Sequence, residues 1–402
     1  METVHVDRMP EDRFSRLRLI PWWDQDRLAA CRVLVVGAGA LGNEILKNLA
    51  LLGFRRVVVV DMDRIELSNL SRTVLYRAGD VGKLKAEAAA QGYLQLAGDA
   101  VVQPLDANIV HGCGLGLFEW ADVILAGLDN REARLWINRS AWKVGRPWID
   151  GAIEGINGVA RVFLPGQAPC YECTLGEVDW AILDKRMSCN LLAHRDDAEG
   201  KVPTTPTISS IIAGIQVQEA VKLLHGLPTL ASKGYIFEGL NNTSYTVEYS
   251  ENPDCMSHYT LPEIVRLPEQ SEGWTLHELW LRACKDLGSD ATTIEFSRDV
   301  IARLICPRCG AVEERFAAVG SVRYAEGACA CDGQPRVVET LHGYSGGLTG
   351  TEAWGSRRLT ELGLPLFDIF TARSAEREIG YLLEGDSPAV LGKLAAEGNA
   401  RL

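Results

Sequence analysis

The hydrophobic pattern of the first 260 residues alternates between short apolar runs and longer segments with helical spacing. Residues 32–36 and 56–61 have continuous apolar centres, and residues 43–52 between them place apolar side chains at helical intervals. A strand, a glycine turn, a helix and a second strand form a βαβ unit. Because the strands are apolar on both faces, the pattern indicates a parallel sheet that helices cover on either side.

The same alternation continues to about residue 260. We therefore expect an α/β fold of Rossmann-like type with a mainly parallel sheet. The pattern predicts further helices at residues 81–96, 131–144 and 207–224, and further strands at residues 100–105, 122–125, 148–150, 158–164 and 235–249.

The character of the sequence changes after Pro262. An amphipathic helix is predicted at residues 274–287 and a strand at 294–296, and a cysteine-rich stretch follows. The pattern divides the chain into an N-terminal arm at residues 1–30, a main α/β domain at 31–265 and a smaller C-terminal module of α+β type at 266–402.

Composition is that of a folded protein, with 402 residues of which 47% are hydrophobic and 23% charged. No apolar stretch reaches the roughly 18 residues of a membrane span, and the charged N-terminus lacks the apolar centre of a signal peptide. The net charge of −12 disfavours non-specific binding of nucleic acid. We expect a cytoplasmic protein without membrane or nucleic-acid partners.

A glycine-rich turn follows the first predicted strand and opens the first predicted helix. Gly37, Gly39 and Gly42 let a phosphate group approach the backbone amides at the start of that helix. Asp61 ends the second strand, where dinucleotide sites place the carboxylate that accepts hydrogen bonds from ribose. Taken alone, the turn is also compatible with a purely structural connection.

Charged and amide side chains that follow the predicted strands in the sequence favour a nucleoside triphosphate over a dinucleotide as the ligand. Residues 61–72 and 82–85 supply cations, and a carboxylate lies at the end of a strand at Asp129. Cations together with a carboxylate suit a triphosphate with magnesium. Asp129 has the alternative role of capping the helix that begins near Arg131. The candidate nucleotide-binding side chains are Asp61, Asp63, Asn69, Arg72, Lys85, Asp129 and Asn130.

Cysteine spacing indicates metal binding rather than disulfides, because close pairs in a chain from a reducing compartment are typical of zinc ligands. The chain has eleven cysteines. Two alternatives to metal binding stay open. Cys255 and His258 would be ordinary surface residues, and the cysteines of the C-terminal module would form a buried cluster without metal. The close pairs are Cys170 with Cys173, Cys255 with His258, Cys306 with Cys309, and Cys329 with Cys331.

These segments resemble the ThiF-type adenylation domain of the ubiquitin-like-protein activating enzymes, a family that includes bacterial molybdopterin- and thiamine-pathway adenylyltransferases. The resemblance covers residues 13 to about 260 and is closest to the NEDD8-type catalytic subunits. A bacterial ubiquitin-like conjugation system is the expected setting. The motifs that carry the resemblance are Leu128-Asp129, residues 134–138, Ile149-Asp150-Gly151, Glu154-Gly155, residues 160–166 and Cys170-x-x-Cys173-Thr174-Leu175.

The resemblance implies that the chain binds ATP and magnesium. It assigns the ribose to Asp61 and the magnesium ion to Asp129. It assigns the phosphates to Asn69, Arg72 and Lys85. Arg72 or Lys85 alone would be interpreted as a solvated surface charge, but the joint occurrence of these residues in order favours the nucleotide site.

The resemblance further implies one structural zinc site that joins Cys170 and Cys173 to Cys255 and His258. His258 stands where the family usually has a cysteine, and tetrahedral zinc accepts three cysteines and one histidine. The arm around Arg16 resembles the arm that carries an arginine into the neighbouring protomer's site in the bacterial homodimers. A homodimer is therefore expected, although Arg16 alone could be an exposed residue of the arm.

Cys189 is the candidate nucleophile. It lies in a short polar segment, residues 176–206, at the position where the resemblance places the cysteine that receives the ubiquitin-like protein. Lys185, Arg186 and His194 are near it in sequence, and cationic neighbours lower the pKa of a thiol. An isolated cysteine is more often a small core residue, which is the alternative interpretation.

The predicted function is ATP-dependent activation of a ubiquitin-like protein by adenylation of its C-terminus, followed by thioester formation on Cys189 and transfer to a conjugating enzyme. The C-terminal module would recruit that enzyme if it has a ubiquitin-like fold. Two alternatives remain. One is a sulfur-carrier adenylyltransferase that passes its adenylate to a sulfur donor, and the other is a non-catalytic partner subunit of a heterodimeric activating enzyme.

Overall fold

The computed structural model describes residues 11–187, 203–346 and 352–396, which form two sheets. The first sheet has eight strands in the order β3-β2-β1-β4-β5-β6-β7-β8. Its first five strands are parallel and its last three run antiparallel to their neighbours. The strands are β1 (Arg32–Val36), β2 (Arg56–Val60), β3 (Val101–Leu105), β4 (Val123–Ala126), β5 (Trp148–Glu154), β6 (Asn157–Phe163), β7 (Lys233–Glu238) and β8 (Thr243–Glu248).

Helices cover both faces of this sheet, as the doubly buried strands require. All five residues of β1 and four of the five residues of β2 are buried, whereas the residues of β3 are half-buried. Helices α2, α3 and α7 pack together on one face, and α4 and α5 pack on the other. The helices are α1 (Gln25–Ala30), α2 (Ala40–Leu52), α3 (Lys85–Leu96), α4 (Leu115–Trp120), α5 (Arg131–Lys143), α6 (Glu177–Met187) and α7 (Pro206–Leu224).

The second sheet lies in the C-terminal module, and the α+β prediction is confirmed. Its strand order is β11-β10-β13-β14-β9, and β12 also pairs with β10. The strands are β9 (Ile264–Leu267), β10 (Thr293–Ile305), β11 (Val312–Ala318), β12 (Val337–Tyr344), β13 (Ile369–Arg373) and β14 (Glu378–Leu383), and the helices are α8 (Leu276–Leu287), α9 (Tyr324–Gly327), α10 (Glu352–Gly355) and α11 (Ser387–Leu391).

Helix α8 shows how the local sequence fixes an element of this module. The Thr275 hydroxyl accepts a hydrogen bond from the Glu278 backbone N–H at 3.2 Å, and the Glu278 carboxylate accepts one from the Thr275 N–H at 2.8 Å. Gly288 ends the helix in the left-handed conformation. This capping box and glycine stop explain why the predicted helix at 274–287 agrees closely with the observed one.

The predicted start of α3 at residue 81 is wrong by four residues. The chain between residues 81 and 84 instead hydrogen-bonds to the segment after β2: Gly82 N–H donates to the Ile65 carbonyl at 2.8 Å, and Lys85 N–H donates to the Asp63 carbonyl at 2.9 Å. Since these long-range bonds replace a helical turn, Lys85 is the first residue of α3 and lies beside Asp63.

No helix in the ranges that the structure describes is long and apolar enough to cross a membrane.

Candidate functional site

A cleft of about 1230 Å³ opens at the carboxyl ends of the parallel strands. Open α/β sheets bind their ligands at this edge, where the strand order reverses. The reversal lies between β1 and β4, which are adjacent although β2 and β3 lie on the other side of β1. The predicted nucleotide residues that line the cleft are Gly37, Gly39, Asp61, Asp63, Asn69, Arg72, Lys85, Asp129 and Asn130.

The glycine turn uses its glycines in two different ways. Gly37 has φ +91°, and a Cβ there would lie 2.6 Å from the Gly127 carbonyl oxygen. A Cβ at Gly42 would lie 1.8 Å from the Gly37 carbonyl oxygen, so both positions are fixed by close packing of the turn. A Cβ at Gly39 would meet nothing within 4 Å, because that position faces the open cleft at the start of α2. Packing of the fold therefore does not require a glycine at Gly39, and the missing side chain leaves room for a ligand in the cleft.

Asp61 is anchored at the bottom of the cleft by two backbone amides. Its carboxylate accepts hydrogen bonds from the Ala38 N–H at 2.7 Å and from the Asp63 N–H at 2.8 Å. Burial raises the pKa of Asp61, although the Lys85 ammonium and the two amides act against that rise. Lys85 pairs with Asp63 at 2.7 Å, and this contact holds its ammonium at the cleft wall.

Asn69 lies in a short 3-10 turn at Leu67–Ser71, and Arg72 directly follows that turn; both residues line the cleft. The Asn69 carboxamide oxygen accepts a hydrogen bond from the Glu66 N–H at 2.9 Å, which fixes the start of the turn. One guanidinium nitrogen of Arg72 donates to the Ser68 carbonyl at 2.8 Å. The guanidinium group of Arg72 and the ammonium group of Lys85 thus belong to residues that line the same cleft, and such cations stabilise phosphate oxygens.

The side chain that caps α5 is Asn130, so the alternative role of Asp129 as the cap is wrong. The Asn130 carboxamide oxygen accepts a hydrogen bond from the Ala133 N–H at 2.8 Å. Asp129 is exposed and lines the cleft. Asp129 thus borders the cleft shortly after the end of β4, and its role as a magnesium ligand stays a prediction.

A buried charge cluster behind Asp129 was missed by the sequence analysis as a functional feature. Asp150 on β5 is fully buried and accepts hydrogen bonds from Arg134 at 2.8 Å and from Arg161 at 3.0 Å. Arg134 also donates to the Leu128 carbonyl at 2.6 Å, which positions the turn that carries Asp129. A charged residue inside an apolar strand was the signal that could have identified this cluster.

The two arginines determine the charge state of Asp150. Burial alone would raise the pKa of this carboxyl group, but the guanidinium groups of Arg134 and Arg161 outweigh burial and lower the pKa below its usual value. Arg161 also lies over the Tyr171 ring, 5.0 Å from its centroid, and both residues line the cleft. The cluster links the Asp129 turn to the segment that carries the first zinc ligands.

The first predicted zinc site is assembled. The Sγ atom of Cys170 lies 3.8 Å from that of Cys173 and 3.6 Å from that of Cys255, and Cys173 Sγ lies 3.3 Å from His258 Nε2. A tetrahedral site with Zn–S bonds of ~2.3 Å places sulfur atoms roughly 3.8 Å apart. The interpretation of Cys255 and His258 as unrelated surface residues is therefore wrong. Four protein ligands leave no open position, so the site fits a structural zinc ion.

The second cysteine cluster has the same geometry. Cys306 and Cys331 have Sγ atoms 3.6 Å apart, and Cys309 and Cys329 have Sγ atoms 3.7 Å apart. All four sulfur atoms lie within 4.8 Å of one another. Cys309 and Cys331 are exposed, so the cluster is not buried as a whole, whereas the metal-free alternative expects a buried cluster. The donor set fits zinc bound by four cysteines.

Metal analysis of the purified protein is expected to find about two zinc ions per chain. Cys170→Ser should remove one of them and lower the unfolding temperature of the main domain, since the site ties residues 170–173 to residues 255–258. Cys306→Ser is the matched control and should remove the other ion while leaving that transition in place. A stable protein without bound metal would contradict the structural role of both sites.

The remaining described cysteines are buried. Cys31, Cys113 and Cys284 are at most 8% exposed. Burial raises the pKa of Cys113 to about 12 and also raises the pKa of Cys31 and Cys284. A nucleophilic thiol requires a lowered pKa and access, so these three residues fit a structural role. Cys189 lies outside the described residues, and its assignment stays a prediction.

The N-terminal arm packs at the end of the domain that lies away from the cleft. Arg13 donates to the Ala50 carbonyl at 3.1 Å, near the last residues of α2, and Phe14 packs against Gly53. The cleft is at the first residues of α2, about 15 Å away at ~1.5 Å per residue. Arg16 is exposed on the arm and does not line the cleft of its own chain.

The comparison with known proteins decides the family. A model described as "ThiF family" matches residues 12–257, more than half of the chain. The chain belongs to the ThiF family. The resemblance inferred from the motifs is thus confirmed, whereas a bacterial origin stays a prediction.

Curated relatives of the ThiF-family chain carry the names of activating enzymes. It is 33% identical over 264 residues to the SAMP-activating enzyme E1 of Haloferax volcanii, covering 63% of this chain and 90% of that protein. It is 43% identical over 157 residues to the NEDD8-activating enzyme E1 catalytic subunit of Arabidopsis thaliana, covering 36% of this chain and 34% of that protein. The corresponding Caenorhabditis elegans protein is 37% identical over 199 residues, 43% of this chain and 46% of that protein. The chain thus spans less than half the length of these NEDD8-type relatives.

Solved structures confirm the fold of the main domain. The structure of Escherichia coli MccB with ATP superposes with a TM-score of 0.51 at 22% identity, covering 61% of this chain and 74% of that chain. A second structure of Escherichia coli MccB superposes with a TM-score of 0.52 at 20% identity, covering 63% of this chain and 74% of that chain.

Proposed function

We propose that this chain activates a ubiquitin-like protein by ATP-dependent adenylation of its C-terminal carboxylate. The observation that carries the proposal is one cleft that combines an open glycine turn, the half-buried Asp61, the cations Arg72 and Lys85, and the exposed carboxylate of Asp129. The relatives named as NEDD8- and SAMP-activating enzymes support it.

The chemistry requires stabilisation of charge on the triphosphate. A carboxylate oxygen of the substrate attacks the α-phosphorus, a new P–O bond forms, and the bond to the β-phosphate oxygen breaks with release of pyrophosphate. Arg72 and Lys85 lie where they would stabilise the negative charge that moves onto pyrophosphate. Magnesium would neutralise further phosphate charge when held by Asp129.

The shape of the cleft supports a protein tail as the substrate. Beyond the phosphate region, the cleft continues along residues of β5, β6 and β7, among them Ile153, Gly158 and Phe237. A Cβ at Gly158 would lie 2.4 Å from the Ile212 side chain, so the strand lies close against α7 at this point. An extended C-terminal tail would lie in this part of the cleft with its carboxylate directed at the α-phosphate.

The thioester step would follow on Cys189. Asp179 on α6 and Thr204 before α7 both line the cleft, so described residues on either side of Cys189 in the sequence border the site. The Cys189 thiolate would attack the acyl-adenylate carbonyl carbon, the C–O bond to AMP would break, and AMP would leave. A conjugating enzyme would then take the acyl group, recruited by a C-terminal module that we propose to be ubiquitin-fold-like.

The alternatives differ at defined steps. A sulfur-carrier adenylyltransferase would form the same adenylate but no thioester at Cys189. A non-catalytic partner subunit would have no use for cations and a carboxylate in one cleft, and Arg72, Lys85 and Asp129 are all there.

The adenylation proposal is tested by ATP–pyrophosphate exchange with purified ubiquitin-like proteins of the same genome. At least one of them should stimulate exchange, and the same protein with an amidated C-terminus should not, because adenylation needs the free carboxylate. Exchange that is absent with every such protein, or unaffected by amidation, would contradict the proposal.

We predict a homodimer in which Arg16 of each chain enters the cleft of its partner, because the arm resembles that of the bacterial homodimers and Arg16 does not line the cleft of its own chain. Chains carrying Arg16→Ala or Asp129→Ala should each lose exchange activity. An equal mixture should regain up to about a quarter of the wild-type activity, because half of the dimers are mixed and one of their two sites keeps both groups. A monomeric mass together with no recovery on mixing would exclude this arrangement.

A further inference from the structure

The loop between β3 and α4, residues 106–114, forms one wall of the nucleotide cleft. Ala107, Asn108, Ile109 and Val110 line the cleft directly. β2 lies between β1, which leads into the glycine turn, and β3, which leads into this loop. In sites of this type the carboxylate after the second strand holds the ribose. The phosphates lie on the β1 side of that carboxylate, so the base lies on the β3 side, against residues 107–110.

Within the main domain, Ile109 and Cys113 pack into the core, and the Asn108 carboxamide donates a hydrogen bond to Met62 Sδ at 3.3 Å. The Asn108 carboxamide oxygen accepts a hydrogen bond from the Val110 N–H at 2.7 Å, and the Asn108 carbonyl accepts one from the Gly112 N–H at 2.7 Å. These bonds shape the loop locally. They do not determine its distance from the opposite wall of the cleft.

Arg298 of the C-terminal module binds this loop at two carbonyl groups. Its guanidinium group donates to the Val110 carbonyl and, at 2.7 Å, to the Cys113 carbonyl. It also lies over the Trp136 ring of α5, 4.6 Å from the centroid. A register shift in β10 between Glu295 and Val300 places Arg298 at this point. Two charge-assisted hydrogen bonds in a fixed fork are a geometry that arginine provides and lysine does not.

Asp368 of the same module binds the other end of the loop. It is 2% exposed, and its carboxylate accepts hydrogen bonds from the Leu115 N–H at 2.7 Å and from the Ser297 hydroxyl. The Phe367 carbonyl accepts a hydrogen bond from the Gly116 N–H at 2.9 Å. Helix α4 is therefore capped by a side chain about 250 residues away in sequence.

We infer that the C-terminal module holds the base-binding wall of the nucleotide cleft, with Arg298 and Asp368 as positioning residues. Four backbone groups, the carbonyls of Val110 and Cys113 in the loop and the amides of Leu115 and Gly116 in the first turn of α4, are fixed by this module. The inference rests on the proposed function, because it concerns the ATP that the cleft would bind.

The test compares two probes in the full-length protein, ATP and inorganic tripolyphosphate, both with magnesium and both measured by calorimetry. Arg298→Ala should weaken ATP binding about tenfold, because the base loses a fixed wall. It should leave tripolyphosphate binding unchanged, since the glycine turn, Arg72 and Lys85 do not touch the loop. A general loss of structure would weaken both probes together.

Arg266→Ala is the matched control. Arg266 also bridges the two modules, through Glu119 on α4 at 2.7 Å and Glu384 at 3.0 Å, but it does not contact residues 106–114. This variant should retain the wild-type ratio of ATP to tripolyphosphate affinity. Should Arg298→Ala fail to fold, Arg298→Lys replaces it, and the ratio should fall because lysine cannot bind both carbonyls in the same geometry.

Three results would overturn the inference: an unchanged affinity ratio in the Arg298 variant, an equal weakening of both probes, or the same fall in the ratio for Arg266→Ala. If the wild-type protein binds tripolyphosphate but not ATP, the base wall does not exist and the inference also falls. If the wild-type protein binds neither probe, the proposed function itself fails, and this outcome is distinct from the others.

Discussion

Replacing Asp129 with alanine is expected to lower ATP–pyrophosphate exchange by at least about 100-fold. The carboxylate is exposed in the cleft, and the fold does not depend on it, because Asn130 caps α5 and Arg134 holds the Leu128 carbonyl. The variant should therefore keep the unfolding temperature of the wild type. Asp129→Asn, which keeps the size and removes the charge, should lose exchange to a similar degree.

The control for this prediction is an exposed aspartate remote from the cleft. Asp99 pairs with Arg55 at 2.7 Å and is about half exposed, so Asp99→Ala changes charge without changing the cleft. It should leave exchange within about twofold of wild type, as surface substitutions usually do. Near-normal exchange in Asp129→Ala would refute the magnesium-binding role that we propose for this residue.

The second large effect concerns Cys189. Cys189→Ala should abolish the covalent adduct between this chain and its ubiquitin-like substrate while leaving pyrophosphate exchange intact, because only the second step uses an enzyme thiol. In the wild type, the adduct should require ATP and should be lost on treatment with a reducing thiol. Intact-mass measurement before and after that treatment distinguishes the thioester from a stable bond.

Matched cysteine controls are available within the chain. Cys113→Ala and Cys284→Ala remove buried thiols whose pKa is raised by burial, so both variants should still form the adduct. A thiol-sensitive adduct in Cys189→Ala would show that the nucleophile is another residue. Exchange without an adduct in the wild type would favour the sulfur-carrier alternative.

The elements that the sequence predicts well are those determined by local patterns. The βαβ unit around the glycine turn follows from apolar runs. The helix predicted at residues 207–224 is observed as α7 at Pro206–Leu224, where a threonine cap and Pro206 mark its start. The start of α3 was missed, since backbone bonds to residues 63–65 replace a turn that the apolar spacing favours. Local helix propensity carries no information about hydrogen bonds between residues that are this far apart in the sequence.

The functional site also combines features that local sequence patterns predict with features that depend on long-range contacts. Ligand types and spacing predicted both cysteine clusters, which the fold then assembled. The cap of α5 was less certain, because Asp129 and Asn130 are both good capping residues and only the backbone conformation selects Asn130. The contacts of Arg298 and Asp368 with the cleft loop could not be predicted, since nothing in a single sequence indicates which distant loop a charged side chain will reach.

The identity of the nucleotide products tests the central claim most directly. The chain would be incubated with magnesium, α-labelled ATP and a ubiquitin-like protein that stimulates exchange, and the products separated by chromatography. Adenylation predicts AMP and pyrophosphate, with label on the protein substrate before the thioester forms and none when its C-terminus is amidated. Production of ADP and phosphate, or of AMP without dependence on the free carboxylate, would contradict the account.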